Sequence, residues 1–145
     1  MIMTHIFTCI LFVLMCGTSH ADVTVSLTTG VHSYPANGII RYNQLIEGNL
    51  IPNYNFATGI YTVPPLGNGR HLVSVTMMSG LVPAHLTLRK NGLGIKVWLF
   101  TGTPWEMATQ TIFMILADGD RISVHMQNVG SSLFDVYNTF TVVKL

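Results

Sequence analysis

The sequence predicts an all-β protein, built as a two-sheet antiparallel sandwich of the jelly-roll kind with about ten short strands. Apolar and polar residues alternate along many short stretches, which is the pattern of half-buried strands. Glycine, proline and asparagine recur between these stretches and mark turns. No stretch of useful length repeats its apolar residues with the period of about 3.6 that is typical of a helix.

The amino-terminal strands are predicted from this alternation. Residues 22–28 alternate valine and leucine with threonine and serine, and they predict the first strand. Residues 30–38 contain a proline and an Asn-Gly turn dipeptide, so they predict a loop. Residues 39–45 resume an extended apolar pattern and predict the next strand.

The middle of the chain combines a turn cluster with longer strands. Two adjacent prolines exclude a helix from residues 53–69, whose asparagines and glycines predict tight turns. Residues 70–79 alternate and predict a central strand. The dipeptide Asn91-Gly92 is the strongest hairpin signal in the sequence, and it joins strands predicted at residues 84–90 and 93–101.

The last third of the chain is predicted to alternate strands with loops. Its strands are rich in β-branched and aromatic residues, and its connections are rich in glycine, aspartate and asparagine. The predicted strands are residues 108–116, 121–127 and 139–145, and the predicted connections are residues 101–107, 118–120 and 128–138.

Residues 1–21 predict a cleaved signal peptide. The apolar run at residues 6–15 is shorter than the roughly 20 residues of a membrane span. Ser19 and Ala21 are small residues at the positions that precede a cleavage site. Both cysteines of the sequence leave with this segment. We therefore expect a secreted protein without membrane insertion, whose residues 22–145 form one domain; a signal anchor is the alternative.

The charge balance of the predicted mature chain is nearly neutral. All seven Lys and Arg and all six Asp and Glu follow residue 21. Because no basic stripe is present to displace phosphate counterions, nucleic acid is excluded as a partner. A charged fraction of 9% is low for a soluble monomer, and neutral apolar faces are often buried between subunits.

The sequence lacks the residue patterns of common catalytic sites. Without a mature cysteine, thiol catalysis and cysteine zinc sites are excluded. No G-x-S-x-G elbow is present, so no enzymatic activity is predicted. The mature histidines are widely spaced, without the spacing of metal ligands. Histidines of strands or loops with local partners are the simpler interpretation. His71 and His125 fall on predicted strands, and a pH-sensitive subunit interface is the other hypothesis for them.

Asp118 and Asp120 are weak candidates for a metal site. They flank Gly119 in a predicted turn and could offer carboxylate oxygens to Ca²⁺. Two carboxylates are too few alone, because Ca²⁺ takes about 6 to 8 oxygen ligands. The alternative is a capped tight turn. No other cofactor is expected.

Candidate ligand-binding residues lie in two predicted loops and around one hairpin. Aromatic rings beside a few polar groups suit contacts with sugar faces or protein edges, and a basic hairpin suits an anionic polysaccharide. Packing and a solvated turn are the respective alternatives. The candidates are Trp105 and Glu106 in the first loop, Phe134, Asp135 and Tyr137 in the second, and Arg89, Lys90 and Lys96 around the hairpin.

Several stretches carry short motifs in a fixed order. Residues 53–64 read N-Y-N-x-x-T-G-x-Y-T-x-P, residues 86–92 end in K-N-G, and residues 119–126 begin with G-D. Together with residues 40–48 and 139–145, these motifs resemble the globular-head domain of the complement C1q family. The sequence departs from that pattern where His71, Val73 and Val75 replace aromatic residues and where Val142 replaces a glycine.

The resemblance implies a compact homotrimer in which the head domain stands alone, because no collagen-like segment is present. It implies a secreted, lectin-like recognition protein that binds microbial surface glycans in innate immunity. Ca²⁺ near the apex of the head is a further implication. One alternative is a structural component of a secreted matrix that assembles with other extracellular proteins. Another is a receptor-binding signalling ligand, because the C1q head resembles the tumour necrosis factor sandwich.

Overall fold

The structure, a computed structural model, describes residues 22–48, 53–127 and 131–145. The predicted signal peptide at residues 1–21 lies outside the described residues. Every regular element of the described residues is a β-strand, which confirms the all-β prediction. In chain order the strands are β1 (Val23–Ser26), β2 (Val31–Tyr34), β3 (Gln44–Gly48), β4 (Tyr54–Asn55), β5 (Ile60–Thr62), β6 (Gly69–Met78), β7 (His85–Lys90), β8 (Gly94–Phe100), β9 (Met107–Leu116), β10 (Arg121–Met126), β11 (Ser131–Phe134) and β12 (Thr139–Lys144).

Ten of these strands form two five-stranded antiparallel sheets, which we call the first and the second sheet, and β2 and β11 form a third sheet of two strands. The order of the first sheet is β3-β1-β12-β6-β9, and the order of the second is β4-β5-β10-β7-β8. The longest pairing joins β6 to β9 over ten residues, from Gly69 opposite Leu116 to Met78 opposite Met107. Several neighbours, such as β1 with β12 and β5 with β10, come from distant parts of the chain, as in the predicted jelly roll.

One apolar core fills the space between the sheets. Val73, Val75 and Met77 of β6 are buried in it, as are Leu86 and Leu88 of β7. The alternate residues of these strands point away from the core, so the period-two pattern of the sequence places one face of each sheet inside. Full burial of such side chains contributes roughly 1.5–3 kcal/mol each.

Aromatic rings concentrate at one part of this core. Tyr42 stacks on Phe140 with ring centres 5.9 Å apart, and Tyr54 lies against both rings. The Tyr54 hydroxyl accepts a hydrogen bond from the Tyr42 backbone N–H at 3.0 Å. Aromatic packing is therefore retained in the core, although β6 contributes only aliphatic residues and His71.

His71 lies inside the core, so it does not contribute to the subunit interface that was one hypothesis for it. Its side chain is fully buried, and its Nδ1 lies 3.2 Å from the Gly69 carbonyl oxygen. Its Nε2 has no hydrogen-bond partner. Burial lowers the pKa of His71, because the charged imidazolium would lose its hydration. A period-two pattern places a residue on one face of a strand, but it does not reveal which face is covered.

Three segments that were predicted as loops or turns contain strands: residues 53–69 contain β4 and β5, and two further segments contain one strand each. β2 lies within residues 30–38 and β11 lies within residues 128–138, and the two strands pair antiparallel with each other. Each has four residues and follows glycine or turn residues, so local propensity is weak in both. Their conformation depends on pairing between distant segments, which the local pattern could not predict.

The sandwich has two ends, which we call the aromatic pole and the turn pole. The aromatic pole consists of residues 79–84, 101–106 and 134–138, which lie where β6 ends and where β9 and β12 begin. The turn pole consists of residues 63–68, 91–93 and 117–120 at the opposite ends of the same sheets. The sequence candidates divide between these poles.

Candidate functional site

Three of the candidate aromatic residues meet at the aromatic pole. Trp105 and Phe134 contact each other edge to face, with ring centres 5.0 Å apart. Phe134 is stacked with Tyr137 at 6.4 Å. Trp105 is 45% exposed and Tyr137 is 49% exposed, so both rings present area to solvent while Phe134 supports them from between. The structure thus joins the two loops that the sequence identified separately.

Both loops carry a residue in the left-handed backbone region. Trp105 and Asp135 each have a φ of 61°. This conformation costs a residue with a Cβ roughly 1–2 kcal/mol, so neighbouring contacts must hold it in place. The Trp105 N–H donates to the Gly80 carbonyl at 3.2 Å, and the Asp135 N–H donates to the Gly30 carbonyl at 2.7 Å. The two strained residues are therefore anchored to other parts of the chain.

Glu106 shapes the loop that carries Trp105. Its Oε2 accepts hydrogen bonds from the N–H groups of Gly102 at 2.6 Å and Thr103 at 3.0 Å. The Thr103 N–H and then the Gly102 N–H lower the pKa of Glu106, because both favour the charged carboxylate. Glu106 is therefore a fixed negative charge beside the Trp105 ring.

Sequence reasoning missed two residues that hold the aromatic pole together. Asn138 is fully buried, and its side-chain amide donates to the carbonyls of Phe134 at 2.6 Å and Asp135 at 3.1 Å. Its Oδ1 accepts the Met78 N–H at 2.9 Å, which ties the second loop to the end of β6. An asparagine between a loop and a strand is a recognised turn signal that could have marked this residue.

Ser79 is the second missed anchor. Its hydroxyl donates to the Thr103 carbonyl at 3.0 Å and accepts the Glu106 N–H at 3.1 Å. The neighbouring Gly80 has no room for a side chain, because a Cβ there would lie 2.4 Å from the Ser132 hydroxyl oxygen. Through these contacts Ser79 joins the loop at residues 79–84 to the loop that carries Trp105.

The three basic candidates do not form one patch. Arg89 and Lys90 are adjacent on β7 and leave opposite faces of the sheet. The Arg89 guanidinium donates to Asn37 Oδ1 at 2.9 Å and to Gln127 Oε1 at 3.2 Å. Lys90 forms an ion pair with Asp120 at 2.5 Å. Lys96 is exposed and lies with Lys90 along a groove beside β9.

The two aspartates of the metal hypothesis act as caps of the turn pole. Asp118 accepts the N–H groups of Leu66 at 2.9 Å and Asn68 at 2.7 Å. Asp120 accepts the Ala117 N–H at 2.8 Å and the Asn91 side-chain amide at 2.9 Å. These contacts match the capped-turn alternative.

Neighbouring groups keep Asp120 ionised, and its charge is paired with Lys90. Burial alone would raise the pKa of Asp120, but the Ala117 N–H, Lys90 and Asn91 together lower it to about 2. Among residues 22–48, 53–127 and 131–145, no group of three or more His, Cys, Asp or Glu side chains could hold a metal ion.

A large apolar surface lies where the edges of the two sheets meet. We call it the β8–β9 edge and define it by Trp98 and Phe100 of β8 and by Phe113 and Ile115 of β9. All four side chains are more than half exposed. Phe113 and Ile115 lie on the outward face of the first sheet, and Trp98 and Phe100 lie on the outward face of the second. Exposed apolar area therefore flanks this edge on both sheets, which is uncommon on a monomer surface.

The outward face of the first sheet is lined with hydroxyl groups, and we call it the hydroxyl face. The Ser74 and Thr111 hydroxyls lie 2.8 Å apart, those of Thr76 and Thr109 lie 3.0 Å apart, and Thr141 donates to Thr24 at 3.1 Å. Because these hydroxyl groups form hydrogen bonds with one another, they depend less on hydrogen bonds to water. The side chains that form these bonds are also uncharged. A neutral face of this kind can be covered at a low desolvation cost.

The described part of the chain contains no helix long and apolar enough to cross a membrane. No model of a known protein family matches the chain, and no curated protein matches it in sequence.

Solved structures share the fold at low sequence identity. The globular domain of the zebrafish complement 1qA protein matches 86% of this chain and 96% of its own, with 12% identity and a TM-score of 0.65. Eiger TNF from S. frugiperda matches 88% of this chain and 93% of its own, with 15% identity and a TM-score of 0.68. Murine APRIL at pH 5.0 matches 87% of this chain and 99% of its own, with 15% identity and a TM-score of 0.59. The predicted C1q-like and TNF-like jelly roll is confirmed.

Proposed function

We propose that this C1q-like and TNF-like jelly roll is a secreted homotrimeric recognition protein, and that it binds microbial surface glycans through its aromatic pole. The observation that carries the proposal is the exposed pair of rings, Trp105 and Tyr137, fixed on either side of Phe134. Flat apolar rings contact the C–H faces of sugars, and nearby carboxylates accept their hydroxyls. Glu106 and Asp135 supply such carboxylates beside the rings.

The rigidity of the aromatic pole supports a binding role. Trp105 and Asp135 occupy strained backbone conformations that the hydrogen bonds from Ser79 and Asn138 stabilise. Side chains held in one geometry lose little conformational entropy when a ligand binds. Strained residues concentrate at functional sites for this reason.

The β8–β9 edge and the hydroxyl face support the homotrimer. In the proposed assembly, the apolar edge of one copy packs on the hydroxyl face of the next, and both surfaces lose their contact with water. Trimerisation places three aromatic poles on one rigid body, which raises avidity for repetitive surfaces without any new contact. The proposed mature chain is residues 22–145, secreted through the signal peptide predicted at residues 1–21.

The experiment is a pull-down of residues 22–145 on immobilised lipopolysaccharide, peptidoglycan, mannan and host matrix, with and without chelator. We expect wild-type protein to bind a microbial polymer, and Trp105→Gly or Tyr137→Ala to lower retention at least about tenfold. Leu93→Ala is the matched control, because Leu93 is an exposed apolar residue at the turn pole. Equal retention of all three variants would contradict binding at the aromatic pole. Retention on host matrix alone would favour the structural role.

A separate measurement tests the assembly. Light scattering after size exclusion should give the mass of a trimer for the wild type and that of a monomer for Phe113→Glu, which places a charge on the β8–β9 edge. Glu47→Lys is the control, because Glu47 is exposed on strand β3. A monomeric wild type would refute the trimer while leaving the aromatic pole to be tested alone.

A receptor-binding ligand is the second candidate function. The structural similarity to Eiger TNF favours this function, because its TM-score of 0.68 is slightly higher than the 0.65 of the complement domain. Saturable binding of the trimer to host cells, without retention on microbial polymers, would establish this alternative.

A further inference from the structure

A second group of side chains lies on the outer face of the second sheet, away from the aromatic pole. Ser123 and His125 are two residues apart on β10, so both point to the same face. Ser123 Oγ lies 2.9 Å from His125 Nε2, and His125 Nδ1 lies 3.1 Å from the Asn37 carbonyl oxygen. Both side chains are more than nine-tenths buried. A hydroxyl, an imidazole and a carbonyl are therefore connected in series.

The hydrogen-bond partners determine the position of each proton. A backbone carbonyl can only accept, so His125 Nδ1 must carry the proton that it donates to Asn37. The neutral ring then has an unprotonated Nε2, and the Ser123 hydroxyl must donate to it. Burial lowers the pKa of His125 against the effect of the Asn37 hydrogen bond, and the positive charge of Arg89 lowers it further. The ring is thus neutral at pH 7 and can accept a proton from Ser123.

The connected groups line a cavity of about 340 Å³. Ile39 and Ile60 supply an apolar wall, and Arg121 supplies a cation at the same cavity. In the part of the chain that the structure describes, the Arg121 guanidinium has no hydrogen bond or ion pair of its own, although its backbone N–H donates to Asn91 at 2.8 Å. The volume is at the lower end of the range for ligand pockets, roughly 300–1,000 Å³. The site therefore accommodates a small molecule with an apolar and an anionic or polar end.

We propose that Ser123 and His125 form a hydrolytic site for short acyl esters of polar or anionic alcohols, independent of the binding function proposed for the aromatic pole. Serine hydrolases have the same arrangement, in which the nucleophile is hydrogen-bonded to a base and a third group orients the base. The Asn37 carbonyl orients the imidazole here, where a carboxylate has that role in the serine proteases. The apolar wall accommodates the acyl chain, and Arg121 faces the polar portion.

The reaction has two balanced steps. Ser123 Oγ attacks the ester carbonyl carbon while its proton passes to His125 Nε2, and the bond from that carbon to the alcohol oxygen breaks as the proton moves to the alcohol. Water then attacks the acyl-serine and gives its proton to Nε2, the bond to Ser123 Oγ breaks, and the serine recovers a proton. The products are the carboxylic acid and the alcohol, and no oxidant or cofactor is needed. Arg121 stabilises negative charge that develops at the cavity.

The first test is intact-mass analysis of residues 22–145 after incubation with an alkyl fluorophosphonate, which bonds its phosphorus to an activated serine oxygen and releases fluoride. We expect the addition of one phosphonyl group per chain, with peptide mapping to Ser123. Ser123→Ala should abolish the addition, and Ser33→Ala, an exposed serine on β2, should leave it unchanged. The absence of any adduct on folded wild-type protein would overturn the proposal.

The second test separates a catalytic from a packing role of His125. Hydrolysis of p-nitrophenyl acetate should fall roughly 100-fold in His125→Ala, the lower limit for the loss of a general base. After subtraction of a protein-free imidazole blank, which is needed because imidazole hydrolyses this ester by itself, added imidazole should restore part of the rate in His125→Ala and none in Ser123→Ala. Both variants are checked for the wild-type melting transition. Turnover by Ser123→Ala equal to that of the wild type would overturn the proposal, whatever the result for glycan binding.

Discussion

The two poles of the sandwich use the same kind of contact for different purposes. At the turn pole, Asp118 and Asp120 accept backbone N–H groups, and Lys90 neutralises one of them. At the aromatic pole, the uncharged side chains of Ser79 and Asn138 hold the loops. The carboxylates of the turn pole are occupied by hydrogen bonds and an ion pair within the protein. At the aromatic pole, buried neutral side chains hold the loops, and the aromatic rings are exposed to solvent.

This difference shows where a candidate site should be sought. A charged residue in a tight turn is attractive in a sequence, but the hydrogen-bond donors of that turn compete for it. Aromatic residues in a loop have no such local partner, so buried neutral anchors are needed to fix them. The buried residues Ser79 and Asn138 are therefore expected to contribute more to the stability of the aromatic pole than its exposed rings do. The following predictions test this division.

The largest effect is expected from Asn138→Ala. The change leaves the Met78 N–H and the carbonyls of Phe134 and Asp135 without their buried partner, so the free energy of unfolding should fall by about 2–4 kcal/mol. Urea denaturation measures this change. Asn68→Ala is the control, because Asn68 is exposed at the turn pole, and it should cost less than about 0.5 kcal/mol. Equal losses in the two variants would remove the distinction between the poles.

A smaller loss is expected from Asp120→Ala. It removes an ion pair with Lys90 and two hydrogen bonds of a partly exposed turn, so the free energy of unfolding should fall by about 1–2 kcal/mol. Retention on the microbial polymer should change less than about twofold, since the turn pole lies at the opposite end. Denaturation and the pull-down are measured on one preparation. A loss of binding in this variant would mean that the two poles are coupled.

Mild acid should affect the core before it affects the turn pole. The pKa of His71 is lowered in the folded state, so the unfolded state binds more protons below the ordinary imidazole pKa of about 6.5. Stability is therefore complete above that pH and falls as the pH decreases through it, which should lower Tm by a few degrees between pH 7 and 5. His71→Leu should flatten this slope, with a remainder from His125, whose pKa is also lowered.

The contribution of Asp120 belongs to a lower pH range. Its pKa falls from 3.8 to about 2 on folding, so its contribution is present above 3.8 and is lost as the pH falls towards 2. Calorimetry from pH 7 to pH 2 should separate the two ranges. A wild-type Tm that stays constant down to pH 4 would contradict the assignment to histidine.

The smallest stability effect is expected from Trp105→Gly. Glycine adopts the φ of 61° without strain, which offsets the lost contact between Trp105 and Phe134 and the greater freedom of the unfolded chain. The free energy of unfolding should change by less than about 1 kcal/mol, while glycan retention falls. Trp105→Ala keeps the strain and should be less stable than Trp105→Gly. The reverse order would show that the left-handed conformation at residue 105 imposes no cost.

Much of the fold follows from the sequence because its signals are local. Alternation placed β6, β10 and β12, and the Asn91-Gly92 dipeptide placed the hairpin between β7 and β8. The pair β2 and β11 was missed because its contacts join distant segments: β11 pairs with β2, and it also accepts the Gly80 N–H at the Ser132 carbonyl. The same limit applies to the metal hypothesis, since the donors that occupy Asp118 come from Leu66 and Asn68, far away in the chain.

The site shows the same division between local and distant information. The two aromatic loops could be identified from their composition, but their meeting depends on Asn138 and Ser79, which bridge distant segments. The separation of Arg89 from Lys90 was available from the sequence, because adjacent residues of a strand point to opposite faces. Grouping both into one basic patch ignored that rule. The pairing of Ser123 with His125 follows the same rule, and only the closure by Asn37 required the structure.

The pairing of β1 with β12 governs how the domain can be displayed. Val23 lies opposite Val142, and the Lys144 N–H donates to the Asp22 carboxylate at 2.8 Å, so both ends of the described domain lie side by side at the turn pole. A tether joined to either end therefore leaves from the side opposite to the aromatic rings. An affinity tag, a fused stalk or a sensor surface attached at residue 22 or 145 would hold the aromatic pole towards the solution, in the same orientation from both ends.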